Sequence, residues 1–168
     1  QKGGGILLAK AMVSKIIGQP IDYSVRIDFN GFVKSVDLVG GLDIIADRTL
    51  DDYAYPIEGK EDDPCGKTED EIKDSSAQLA SASATELETF PCRYKHLHIP
   101  EGKNHLDGKT SLEFVRSRHA LGIEGSDFSR SKRQAKVITA FKQKVLSYET
   151  LLNPVKLISL YNAVRENI

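Results

Sequence analysis

IDYSVRIDFNGFVKSVDLVGGLDIIA, residues 21–46, is the stretch that sets the fold class. Its first seven residues alternate apolar and polar positions, as a half-buried strand does. Asp28 is placed to cap the helix NGFVKSVDLV, because its carboxylate can accept from the free N–H groups of a first turn. Gly40 and Gly41 stop that helix, and LDIIA resumes a strand. Upstream, Ile6, Leu7, Ala9, Met12, Val13, Ile16 and Ile17 recur at helical spacing up to Gly18, and Pro20 forbids continuation. Helices and strands in alternation, with glycine stops, predict an α/β sandwich rather than a helix bundle.

Downstream the pattern dissolves between about Asp47 and Tyr94. KTEDEIKDSSAQLASASATELET is rich in Ser, Thr, Ala and acidic residues and reads as part of a surface insertion, at about 58–93. Cys65 and Cys92 bracket this segment in polar, turn-rich sequence and are expected to form a disulfide, the alternative being two unrelated thiols. A bridge there would contribute about 3 kcal/mol by chain entropy and would imply an oxidising, extracytoplasmic setting. YKHLHIP then reads as a strand and EGKNHLDG as a turn, with Asp107 or Thr110 available to cap the helix SLEFVRS. A loop, ALGIEGSDF, leads to a helix from about Ser129 to Tyr148, and Pro154 opens a last helix.

The 168 residues suffice for one domain with its own core, with 40% apolar and 28% charged residues. With 23 basic and 24 acidic side chains there is no global field to hold a duplex, so a general nucleic-acid binder is disfavoured. No segment approaches the roughly 20 apolar residues of a membrane span. The chain opens on Gln1, and QKGGG leads straight into a helical pattern, which reads as an internal piece of a longer protein.

Against this neutral background Arg116, Arg118, Arg130 and Arg133 gather, with Asp127 and Gln134, on two helix ends joined by one loop. The guanidinium fork matches phosphate oxygens, so the run points at a phosphate-bearing ligand. In the later helix the stripe Val137, Ile138, Phe141 and Val145, continued backwards, reaches Gln134, Arg133 and Arg130. Cations at a helix N-terminus oppose the macrodipole unless an anion is bound or a carboxylate compensates. Anion binding and an internal salt bridge to Asp127 or a neighbour are the two readings. Arg26, near the end of the first strand, is a further candidate, the alternative being an ordinary exposed arginine. His119 beside the arginines is a candidate acid–base group or a packing residue. His96 and His98 share one strand face, but without a third ligand they are a weak metal signal.

DYSVRIDFNGFVKSVDLVGGLDI, LHIPEGKNHLDGKTSLEFVRSRH and SDFSRSKRQAKVITAF, in this order and spacing, closely resemble the LytR-CpsA-Psr family of bacterial cell-envelope enzymes. The resemblance covers nearly the whole chain outside the insertion. It implies a mixed central sheet sandwiched between helices, on the outer face of the cytoplasmic membrane, normally tethered by an N-terminal anchor. It also implies transfer of a glycopolymer, such as teichoic acid or capsule, from a polyprenyl pyrophosphate carrier to peptidoglycan. By motif, Arg26, Arg116, Arg118, Arg130 and Gln134 are the expected pyrophosphate-site residues, with Arg133 and His119 as secondary candidates. Asp127 is expected beside them, orienting an arginine or acting as base. The family's Mg2+-binding aspartates, and a further arginine, lie upstream of the matching segment, so no metal ligand is expected in this chain. Ile6–Ile17, Phe32, Val33, Val36 and the stripe from Val137 are either walls of a lipid tunnel or plain core.

Phosphoryl transfer needs its oxygens neutralised and the incoming sugar hydroxyl placed in line, which such arginines suit. Beside the transferase reading stand a non-catalytic envelope module binding anionic lipid or polymer, a polyprenyl pyrophosphate pyrophosphatase, and a purely structural salt-bridge network.

Overall fold

A computed structural model describes residues 4–24, 28–80 and 85–166. In chain order it has α1 (Gly4–Ile17), α2 (Phe29–Leu38), β1 (Leu42–Ala46), β2 (Leu50–Pro56), α3 (Glu69–Ala80), α4 (Glu86–Thr89), β3 (Tyr94–Ile99), β4 (Gly102–Leu106), α5 (Gly108–Arg116), α6 (Asp127–Val145), α7 (Tyr148–Leu151) and α8 (Pro154–Glu166). The α/β class expected from the sequence is the class observed. The described strands form two antiparallel pairs, β1 with β4 and β2 with β3.

One apolar core joins both pairs. Val36 of α2 and Val39 just after it, Leu42 and Ile44 of β1, Leu50 of β2, Leu97 and Ile99 of β3, Leu106 of β4, Phe114 of α5 and Val137 of α6 are all buried in it. The strands reach it by alternation: β1 buries Leu42, Ile44 and Ala46 and exposes Asp43 and Ile45. Asp28 caps α2 by accepting from Gly31 N at 2.7 Å, as expected. Asp107 caps α5 by accepting from Thr110 N at the same distance. α5 lies so close to α2 that a Cβ on Gly108 would sit 2.2 Å from the Val33 carbonyl oxygen. Glycine is required there, and Gly108 N donates to Asp37 Oδ1 at 2.7 Å across the same contact.

Three expectations are corrected. Ile21–Ser24, read as the start of a strand, have no regular structure. EGKNHLDG, read as a turn, contains β4: its residues are polar, but its backbone pairs with β1 and only Leu106 has to face the core. The supposedly patternless stretch after Asp47 contains β2. Its inward positions are Leu50, Asp52 and Tyr55, so a buried carboxylate and a register shift between Asp52 and Tyr55 erase the apolar alternation.

The segment at 58–93 carries α3, α4 and a short 3-10 turn at Pro91–Arg93. Cys65 and Cys92 are joined by a disulfide across a sequence separation of 27. Thr85 and Glu88 form a capping box on α4, and the Arg93 guanidinium stacks over Phe90 at 3.9 Å. α1 buries none of its side chains, and Leu7, Leu8, Met12, Val13, Ile16 and Ile17 are exposed. Val36 and Val137 are core, so of the proposed tunnel residues they belong to the interior.

Candidate functional site

α5 ends at Arg116 and α6 begins at Asp127, with Ser126 capping it by accepting from Ser129 N at 3.2 Å. Between them the chain passes through Ser117–Leu121 and a 3-10 turn at Gly122–Gly125. Two buried charges hold this loop in place.

The first is Asp52, fully buried on β2. Its Oδ2 accepts from Ser117 Oγ at 2.7 Å and from His119 N at 3.2 Å, and its Oδ1 accepts from Ala54 N at 3.0 Å. A carboxylate removed from water survives only if its lone pairs are satisfied, and here three donors do so. Ala120 bridges to Asp52 through the backbone, and Leu121 N donates to Asp51 O at 2.8 Å.

The second is Arg133, only 3% exposed. Its Nε donates to Phe114 O at 2.8 Å, one terminal nitrogen to Ser117 O at 2.8 Å, and the other to Glu124 O at 2.7 Å and Glu124 Oε2 at 3.0 Å. The guanidinium thus caps the carbonyl end of α5, where a cation complements the macrodipole, and binds the 3-10 turn at the same time. Burial pushes the Arg133 pKa down, and Glu124 opposes that shift. On the loop itself, a Cβ on Gly125 would meet the Ala120 carbonyl oxygen at 2.4 Å, so the turn closes this tightly only with glycine.

This arrangement sorts the arginines. Arg133, expected as a secondary candidate for the anion, commits its guanidinium to internal acceptors and ties α6 to α5. Of the expected inward stripe, Arg133 and Val137 are buried and Phe141 and Val145 pack against the core, whereas Gln134 and Ile138 are exposed. Arg116, Arg118 and Arg130 remain around the loop. Arg116 is exposed and stacks over the Phe29 ring at 4.3 Å. Arg118 and His119 are exposed on the segment that Asp52 anchors. Arg130, about one quarter exposed, pairs with Asp127 at 2.8 Å, and Asp127 itself is 82% exposed. Among the described residues Arg116 and Arg118 have no carboxylate at ion-pair distance. Arg26 lies outside the described residues.

Sequence reading missed Asp52, Ser117 and Glu124, which build the loop, and Phe29, which carries Arg116. The adjacent acidic pair Asp51-Asp52 in an otherwise strand-length stretch was the available signal. For a hard oxygen-seeking cation the described residues at the arginines offer no ligand set. Asp52 is saturated, Glu124 is on Arg133, and Asp127 is on Arg130.

The model of the LytR_cpsA_psr family matches residues 1–168, the whole chain. The chain belongs to this family. The cell wall biosynthesis protein LcpA of Corynebacterium glutamicum is 26% identical over 156 residues, 93% of this chain and 22% of that protein. The polyisoprenyl-teichoic acid–peptidoglycan teichoic acid transferase TagU of Bacillus cereus is 27% identical over 148 residues, 88% of this chain and 34% of that protein. This LytR_cpsA_psr chain thus spans about a fifth to a third of the length of these curated relatives. Among solved structures, protein gbs0355 of Streptococcus agalactiae superposes with a TM-score of 0.60 at 22% identity, covering 98% of this chain and 42% of that one. The shared α/β fold is therefore established independently of close sequence identity.

Proposed function

We propose that this chain is the arginine-bearing portion of an enzyme that transfers a glycopolymer from a polyprenyl pyrophosphate carrier to peptidoglycan. Arg116, Arg118, Arg130 and Gln134 hold the pyrophosphate, and Asp127 orients Arg130 or takes the proton of the incoming hydroxyl. One observation carries the reading. Arg133 and Asp52 commit their charge inside the protein to fix the loop that carries Arg118 between Arg116, at the end of α5, and Arg130, in the first turn of α6. Guanidiniums on such a frame offer charge neutralisation when phosphoryl charge builds up.

Family membership supports the reaction class, and TagU, by its name, passes teichoic acid to peptidoglycan. The disulfide suits an oxidising compartment outside the cytoplasm. No helix among the described residues is long and apolar enough to cross a membrane. Magnesium, when bound, would neutralise oxygens of the pyrophosphate. The exposed apolar side chains of α1 are the best candidates for contact with the polyprenyl tail.

Binding of a short-chain polyprenyl pyrophosphate to the full chain tests the proposal. Arg130→Ala removes charge-assisted hydrogen bonds, which predicts a loss of about 10- to 100-fold in affinity. Unchanged affinity in a variant with native circular dichroism would refute the clamp. A second reading is a non-catalytic module that binds the anionic headgroup through the same arginines. Turnover of labelled carrier, with and without peptidoglycan, separates the two and also exposes simple hydrolysis.

A further inference from the structure

The outer face of the β2–β3 pair carries a second cluster of metal-binding side-chain types. His98 stands directly opposite Asp51 in the strand register, and His96 follows on the same face of β3. Both imidazoles converge on one atom: His96 Nε2 lies 2.9 Å and His98 Nδ1 2.7 Å from Asp51 Oδ1. Tyr53, also on this face, stacks on His96 with ring centroids 4.0 Å apart and planes 4° from parallel, which fixes the ring's orientation. All three ligand atoms lie within 4.8 Å of one another. The sequence showed the two histidines without a third ligand, and strand pairing supplies it.

The geometry points to a first-row transition-metal site of the zinc class on this face, with Asp51, His96 and His98 as its protein ligands. Two imidazoles and a carboxylate are the donor set of such ions, whereas magnesium and calcium take oxygen. Tetrahedral ligation at about 2.0–2.2 Å separates ligand atoms by about 3.4 Å, so the two histidines move away from Asp51 by about 0.5–0.7 Å to admit the ion. The three ligands sit on hydrogen-bonded strands, and a fourth position is left to solvent, since His96 and His98 are exposed. Among the described residues a second gathering of metal-binding residue types, Asp63 with Cys65 and Cys92, has its sulfurs joined in the disulfide and offers no thiolate.

The site bears on the loop already described. Asp51 and Asp52 are consecutive, so the metal grips the outer face of the strand whose inner face holds Ser117 and His119. Asp51 also accepts from Leu121 N through its backbone carbonyl. The ion therefore cross-links β2 to β3 at the buttress of the arginine loop.

Titration of the tag-free full chain with Co2+, followed through visible d–d absorption, tests this. One equivalent is expected to saturate the signal, Zn2+ to bleach it, and excess Mg2+ to leave it unchanged. Loss of outer-shell partners alone costs 10- to 100-fold, so removal of a direct ligand in His98→Ala is expected to weaken binding by roughly 100-fold or more. Asp51→Asn, which keeps the side chain's shape, serves as the second variant should His98→Ala fail to fold. His105→Ala removes the separate His105–Asp43 pair and is expected to leave the titration intact. No Co2+ spectrum, a spectrum indifferent to His98 and Asp51, or displacement by Mg2+ would each overturn the proposal.

Discussion

Replacing Arg133 with alanine separates a structural arginine from a ligand-binding one. The variant strips donors from Phe114 O, Ser117 O and Glu124 O and leaves the Glu124 carboxylate without its partner. Phe114 O lies in the last turn of α5, where the helix ends before it can supply a donor. A buried acceptor left unmet costs about 1–3 kcal/mol, and breaking a buried ion pair costs about 3–5 kcal/mol. The losses overlap, so we expect about 3–5 kcal/mol in all, a large part of the stability of a domain this size. Arg133→Lys should recover little, because one ammonium cannot reach acceptors in three directions as the planar fork does. Urea denaturation of wild type, Arg133→Ala, Arg133→Lys and Arg130→Ala is the assay. The Arg130–Asp127 pair is an i,i+3 contact with one largely exposed partner, so Arg130→Ala should cost less than about 1 kcal/mol. A loss below about 1 kcal/mol for Arg133→Ala, with pyrophosphate affinity lost instead, would show that the guanidinium serves the ligand.

Two other predictions concern the cap of α5 and the disulfide. The Asp107 carboxyl is held below its ordinary value of 3.8, chiefly by the hydrogen bond from the Thr110 backbone N–H. A depressed folded-state pKa gives stability that is full above pH ~3.8 and fades as pH falls through the lower folded value. Between pH 6 and 3 the melting temperature of wild type should therefore drop further than that of Asp107→Asn, which caps without titrating; parallel curves would contradict this. Cys65→Ser opens a loop with a sequence separation of 27, a cost of about 3.5 kcal/mol in the chain-entropy model. Pyrophosphate affinity should survive in the fraction that remains folded, because Arg93 and the capping box, not the arginine loop, adjoin the bridge; its loss would link the two regions.

Local chemistry made several elements legible. The caps Asp28 and Asp107 and the alternation of LDIIA are decided by residues within one turn or one strand of each other. The same holds for the crowding of arginines between Arg116 and Arg133, which pointed to a charged loop before any contact was known. β4 and β2 escaped because strand pairing is a property of two segments. GKNHL is polar yet pairs with β1, and LDDYAYP turns Asp52 inward where alternation demands an apolar residue.

The sequence by itself determined the α/β class, the family and the place of the arginines along the chain, since these rest on residue type and spacing. Tertiary structure alone decided which arginine does what. Arg130 and Arg133 are three residues apart on one helix, and about 60° of helix rotation separates a partly exposed guanidinium paired with Asp127 from one that cements two helices. The same distinction made Asp51 a partner of His98 and Asp52 the anchor of Ser117, although the two are neighbours of identical chemistry. Successive strand residues face opposite ways, and only the packing of β2 assigned one face to solvent and the other to the loop.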